Sequence, residues 1–250
     1  MNGPWPHRSP FDRLRANGRK LGDMAELLPG LKVHLGCGPL VVPGWLNVDQ
    51  RRPNPKLLNN TSGALYSVLY RIEGWIQHLR TPPERRIRIF DLCAPFPLQS
   101  DGARVVFSSH VIEHLSYSGA VDDERDSRVQ LFLRECRRIL QPGGVLRLST
   151  PDLDLLLEKL RLRDERFFQD TLISEGLPRL PTIEESFLRV LYERGTHRYC
   201  FNHDILARLL AQAGFREITK SRYGASRSPD IVRDGLDNRE HESLFIEAVK

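Results

Sequence analysis

The chain has 250 residues, 40% of them hydrophobic and 28% charged, so it can bury a core of normal size without disulfides or a structural metal. No run of about 18 uncharged apolar residues exists, which argues against a membrane-spanning helix. Lys plus Arg number 37 against 32 Asp plus Glu, a balance of +5, but the basic residues are interleaved with acids, as in RLRDERF at 161–167, and form no block of the kind that grips nucleic acid.

Residues 1–30 are rich in Pro, Gly and Arg and read as an N-terminal arm before a single domain at 31–250. The arm lacks the apolar centre of a secretion signal, and Pro4, Pro6 and Pro10 break any early targeting helix. The cysteines, Cys37, Cys93, Cys136 and Cys200, form no CxxC pair. A zinc site of the usual spacing is therefore not expected, and a reducing, cytoplasmic setting is.

The ordered pattern begins at Lys32. LKVHLGCG reads as a buried strand ending in glycines, and WLNVD at 45–49 as a short second strand ending in an acid. The link from Gly38 to Trp45 is shorter than the ten or so residues that a crossover helix takes. Residues 51–85 carry a helical stripe (Leu65, Val68, Leu69, Ile72, Ile76, Leu79). RIRIFDL at 86–92 alternates and ends in another acid, and ARVVFSSH at 103–110 is a β-rich run. Val129, Phe132, Leu133, Cys136, Ile139 and Leu140 form an apolar helical stripe that stops at Gln141-Pro142-Gly143-Gly144. A strand follows at 143–152, then a mostly helical stretch at 152–200. Asn202 caps a helix that ends before Gly214, and two last strands lie at 216–221 and 243–250. Strands alternating with helices predict a doubly wound, mostly parallel α/β sheet. The stretches at 51–85 and 152–200 exceed a minimal unit and would sit at loop ends, as a lid or as acceptor-binding elements.

In such a sheet the ends of the parallel strands share one edge. Gly36, Gly38, Asp49, Asp91 and Ser108–His110 should therefore line one crevice. A dinucleotide fingerprint fails, because the third glycine position holds Val41.

The series LGCG, NVD, DL, SSHVIEHL and ILQPGG, in this order, resembles the class I S-adenosylmethionine-dependent methyltransferases from about Lys32 to Lys250. The resemblance implies a Rossmann-like seven-stranded sheet with an antiparallel last strand, here with a shortened first crossover and helical insertions. It implies S-adenosylmethionine as cofactor and S-adenosylhomocysteine as product. Gly36, Cys37 and Gly38 would admit the methionine end against bare backbone. Asp49 would accept from both ribose hydroxyls, Asp91 from the adenine amino group with the Leu92 amide near the ring, and Ser109 and His110 would border the methionine amino group and the methyl. His34 stands where many members carry an acid that binds the methionine amino group.

Methyl transfer is an in-line displacement from a sulfonium that is already a good leaving group. The enzyme aligns the groups and keeps the site dry. A hydroxyl or ammonium acceptor must also lose a proton, which points to a histidine base: His110, His114 or His197, with Tyr199 beside the last. His110 and His114, four apart, are expected on one face of a short helix. His110-x-x-Glu113-His114 with His197 also has chelating spacing, but a Glu-His pair is common here in metal-free methyltransferases, so no metal is expected. The leading expectation is O- or N-methylation of a small-molecule or glycan-type acceptor. Set against it are an RNA-directed methyltransferase and a catalytically inactive protein that binds cofactor or a partner.

Overall fold

The computed structural model of this chain describes residues 30–38, 40–49, 87–117, 127–174 and 176–250. The arm at 1–29 and the helical stripe at 51–85 lie outside the described residues.

Seven strands form one sheet: β1 (Leu31–Leu35), β2 (Leu46–Asp49), β3 (Arg88–Ile89), β4 (Ala103–Ser109), β5 (Leu140–Pro151), β6 (Arg216–Ser221) and β7 (Ser243–Val249). Their order across the sheet is β3-β2-β1-β4-β5-β7-β6. The first five pair in parallel, and β7 runs antiparallel to both of its neighbours. This is the predicted doubly wound α/β architecture. Val105, Val106 and Phe107 in β4 are all fully buried, as in a strand covered on both faces.

The two faces are covered differently. On one, α1 (Arg128–Ile139) presents Val129, Phe132, Leu133, Cys136 and Ile139, and α5 (His203–Gln212) presents Leu206, Leu209 and Leu210. Ser127 caps α1 by accepting from Gln130 N at 3.3 Å, and Asn202 caps α5 by accepting from Ile205 N at 3.0 Å. The sequence stripe carried α1 through Leu140, but the helix ends one residue earlier. Leu140 already pairs with Ala103, and the register then jumps so that Val105 pairs with Val145. The Gln-Pro-Gly-Gly run is the irregularity that absorbs the jump. Gly144 lies so close to Gln141 O and Ala103 O that no side chain fits there.

The other face has no crossover helix between β1 and β2. Tight turns stand there instead among the described residues, with Leu40 N donating to Cys37 O and Trp45 N to Val42 O. The Asn47 side chain staples this loop, accepting from Val42 N and donating to Val42 O and Trp45 O. The cover comes from the far end of the chain. A short helix, α6 (Pro229–Arg233), and the residues after it bring Ile231 and Leu236 onto Val42, Trp45, Val105 and Phe107. Asp234 fastens this cover by accepting from Trp45 Nε1 at 2.8 Å and Lys32 Nζ at 2.9 Å. Arg147 in β5, fully buried, fastens it again through Asp237 at 2.6 and 2.7 Å, Glu247 at 3.1 Å and the carbonyls of Arg222 and Ala225.

The stretch predicted to be mostly helical contains α2 (Leu153–Arg161), α3 (Glu165–Ser174) and α4 (Ile183–Tyr192). They enclose a small core of their own from Leu156, Phe168, Leu172, Ile183 and Val190. A capping box starts α4: Thr182 accepts from Glu185 N, and Glu185 accepts from Thr182 N, both at 3.1 Å. Backbone contacts tie this unit to the sheet edge, among them Leu153 N to Phe201 O at 3.0 Å, Arg198 N to Glu113 O at 2.7 Å and Tyr199 N to Glu113 O at 3.2 Å.

Candidate functional site

A crevice of about 380 Å³ opens at the C-terminal edge of the parallel strands, within the range of ligand sites. Its inner wall is made by strand ends: Gly36 and Gly38 after β1, Asp49 at the end of β2, and Leu92 after β3. Gly36 has φ +69°, and a Cβ there would overlap the Val111 side chain. Gly38 has φ +51° and faces open space. Glycine is thus required twice, once for a close approach and once for a left-handed turn beside the cavity.

The floor follows β4. His110 has φ +53°, an uncommon left-handed conformation for a side-chain-bearing residue. Its N–H donates to Ser149 O at 2.9 Å, and its Nε2 lies 2.8 Å from Ser243 Oγ. A 3-10 turn, Ile112–His114, comes next. His110 lies outside that turn, so the expected helical face shared with His114 does not form. The left-handed residue swings the chain before the turn begins.

The outer wall is His114 with Glu193 and Thr196, which follow α4. Glu193 caps α4 with φ +37°. His114 Nδ1 lies 3.1 Å from Thr196 O, and a carbonyl only accepts, so this nitrogen carries the proton and Nε2 is left bare. Nε2 stands 3.9 Å from Glu193 Oε2. His197 packs edge-on against His114, its Nδ1 3.1 Å from Leu191 O and its Nε2 3.2 Å from the same Glu193 oxygen. Both of its nitrogens therefore face acceptors. Burial opposes charge on this ring, but Glu193, Glu113 and the Leu191 carbonyl together outweigh it and hold the His197 pKa above the usual imidazole value. The reciprocal contact with His197 pulls the Glu193 carboxyl down to about 2.

Behind this wall lies Glu113, 1% exposed. Burial pushes its carboxyl up, but the contact with His110 and the charges of His110 and His114 outweigh that, and the net shift is downward. Its Oε2 accepts from Thr150 Oγ1 at 3.3 Å. Its Oε1 stands 3.2 Å from His110 Nδ1, yet the two are not aligned to hydrogen bond.

Of the residues singled out from sequence, Gly36, Gly38, Asp49, Leu92, His110 and His114 line the crevice. The rest lie elsewhere. His34 is 2% exposed on the opposite face of β1, edge-on to Phe107. Burial drives its pKa down to about 4, partly offset by Asn47. Cys37 is buried next to the glycines, and burial together with Asp49 pushes its thiol up to about 12. Asp91 is exposed, and its Oδ1 accepts from Cys93 N at 2.8 Å. Ser109 bridges Ser149 and Asn238 at 2.8 Å each. Tyr199 packs its ring against Tyr117 and Phe201. The crevice residues that the site assignment from sequence missed are Val111, Leu115, Glu193 and Thr196, with His114 weighed there only as a base. Nothing in the local pattern of ERGTH at 193–197 marks them, because the docking of α4 puts them there.

A family model described as a methyltransferase domain matches residues 73–148. Among solved structures, the chain is similar to a SAM-dependent methyltransferase from Archaeoglobus fulgidus, with 14% identity over 96% of this chain and 94% of that one, at a TM-score of 0.43. It is similar to an S-adenosylmethionine-dependent methyltransferase from Mesorhizobium loti, with 16% identity over 92% and 95%, at 0.42. It is also similar to phosphoethanolamine N-methyltransferase 2 from Haemonchus contortus in complex with S-adenosyl-L-methionine, with 15% identity over 92% and 51%, at 0.41. No curated protein matches the chain.

Proposed function

We propose that this chain is a class I S-adenosylmethionine-dependent methyltransferase, and that it methylates an oxygen or nitrogen of a small-molecule or glycan-type acceptor held at the outer wall of the crevice. The observation that carries this reading is the division of the crevice into two chemically distinct walls. The inner wall offers bare glycine backbone and the Asp49 carboxylate, which suit the methionine end and the ribose diol of the cofactor. Leu92 gives an apolar patch for the adenine ring, with the Asp91 turn beside it. Cys37 contributes backbone, since its thiol stays protonated, and Ser109 and His110 border the methyl end from the β4 side.

The outer wall offers imidazoles and carboxylates. The displacement needs acceptor, methyl and sulfur in line. A hydroxyl or ammonium acceptor must in addition lose a proton to a histidine. Two imidazoles, His114 and His197, stand at this wall, and a third, His110, at the floor. His110 and His197 already have both ring nitrogens against neighbours, whereas His114 Nε2 is bare. His114 is therefore the base in the metal-free enzyme. Tyr199 supports the wall through its backbone, donating to Glu113 O at 3.2 Å. His34 takes no part, being held on the far face of the sheet.

The test is a labelling experiment. The full chain is incubated with methyl-tritiated S-adenosylmethionine and either the low-molecular-weight and glycan fraction or the RNA fraction of a cell extract. Label entering the first fraction is expected. Label entering RNA alone, or cofactor binding with no transfer to any fraction, overturns the reading.

A further inference from the structure

The outer wall holds more donor atoms than proton transfer uses. Glu113, His114 and His197 each offer a ligand atom, and these atoms lie within 4.8 Å of one another. Both imidazoles are braced from behind by backbone carbonyls, His114 Nδ1 against Thr196 O and His197 Nδ1 against Leu191 O, each at 3.1 Å. Each Nδ1 therefore carries a proton and each Nε2 points away from that brace, His197 Nε2 towards Glu193. Metal-ligating histidines are oriented in this way, by a hydrogen bond from the ring nitrogen that does not ligate. The two Nε2 atoms stand 3.9 and 3.2 Å from a single oxygen of Glu193. An independent observation comes from Glu113. It is 1% exposed, and its Oε1 accepts no aligned hydrogen bond, with His110 Nδ1 standing 3.2 Å away as its ion-pair neighbour. A buried carboxylate oxygen left so is costly unless a cation or a donor completes it.

We propose that Glu113, His114, Glu193 and His197 form a binding site for a divalent transition-metal ion at the outer wall of the crevice. Two imidazole nitrogens with two carboxylates suit zinc or manganese, whereas magnesium and calcium favour all-oxygen sites. Around zinc, with bonds of about 2.0–2.2 Å, donor atoms stand roughly 3–4 Å apart, so small side-chain rotations close the cluster. The ion takes the place of the proton that His197 and Glu193 share. His110 is not a ligand, because its Nε2 is engaged with Ser243. An acceptor hydroxyl that reaches the ion from the crevice binds through its oxygen and loses its proton to water more readily. The ion then performs the task of the His114 base. The site is defined by its donors and stands whether or not the acceptor is a small molecule.

The experiment is calorimetric titration of the full, tag-free chain with zinc chloride, manganese chloride and magnesium chloride. One zinc ion per chain is expected at micromolar affinity or better, with magnesium at least a hundredfold weaker. His114→Ala and Glu193→Gln should each weaken zinc at least tenfold, and His203→Ala, at the half-buried start of α5, should leave it unchanged. Cobalt(II) gives a second readout if His114→Ala does not fold. Visible bands of a four- or five-coordinate nitrogen and oxygen site should appear in the natural chain and vanish in Glu193→Gln. Zinc affinity that is equal in all variants, magnesium binding as tight as zinc, or a cobalt spectrum unchanged by Glu193→Gln would overturn the proposal.

Discussion

The inner wall of the crevice stands on strand ends rooted in the core of the sheet, while the outer wall stands on a helical insertion with a separate small core. Gly36 and Asp49 follow or end β1 and β2, where Val33, Leu35 and Val48 are fully buried, while Leu92, itself buried, follows the exposed edge strand β3. Glu193 and Thr196 follow α4, whose buried residues Ile183 and Val190 pack on α2 and α3. A wall that shares the global core opens at a cost closer to that of global unfolding. A wall on a satellite core can loosen locally, at a smaller free-energy cost. The contrast suits a fixed cofactor opposite a variable acceptor.

The largest effect should come from attacking the sheet side. Arg147→Met leaves Asp237 and Glu247 as buried charges without their partner. Loss of one member of such a group costs about 3–5 kcal/mol, and the loss should be global, with one cooperative urea transition moved to lower concentration. A drop confined to hydrogen exchange in 222–242 would show that the far-end cover is not part of the common core.

His34 gives the next effect, through pH. Its folded pKa, about 4, lies below the imidazole value of 6.5 in the unfolded chain. Above pH 6.5 neither state is protonated and the fold carries no penalty. As pH falls from 6.5 towards 4, the unfolded chain takes up a proton that the folded chain refuses. Stability should then fall by something on the order of 3 kcal/mol, at 1.36 kcal/mol per pH unit. Thermal melts at pH 7 and pH 4.5, with His34→Asn as comparison, check this. The variant should show the shallower pH dependence. Equal slopes would place His34 in contact with water.

A smaller change should separate the walls. Thr182→Ala removes the capping box of α4 at a cost of about 1 kcal/mol. Amide exchange should quicken in α4 and at Thr196 and His197, while β1 and β4 keep their protection. Uniform quickening would show that the helical unit and the sheet unfold together.

Much of the inner wall was legible in the sequence. Period-two runs ending in glycine or acid locate strand ends, and parallel topology brings those ends to one edge. That is why Gly36, Gly38, Asp49, Leu92 and His110 meet. His34 did not follow, although β1 contains the signal. Val33 and Leu35 pack on the α1 side, so the residue between them must face the other way. The helical face expected to hold His110 and His114 together does not form, because a left-handed residue does not show in a spacing pattern. Glu193, Thr196, and the use of α6 in place of a crossover helix depend on contacts between distant parts of the chain. Trp45 with Asp234 and Glu113 with Arg198 are two such contacts, and no local pattern encodes them.

The most direct test of the two-wall account is calorimetric titration with S-adenosylhomocysteine, comparing the natural chain with Asp49→Ala and Glu193→Gln. Asp49→Ala should lose at least tenfold in affinity, about 1.4 kcal/mol or more, and Glu193→Gln should bind within a factor of three of the natural chain. Unchanged affinity in Asp49→Ala, or an equal loss in both variants, would contradict it.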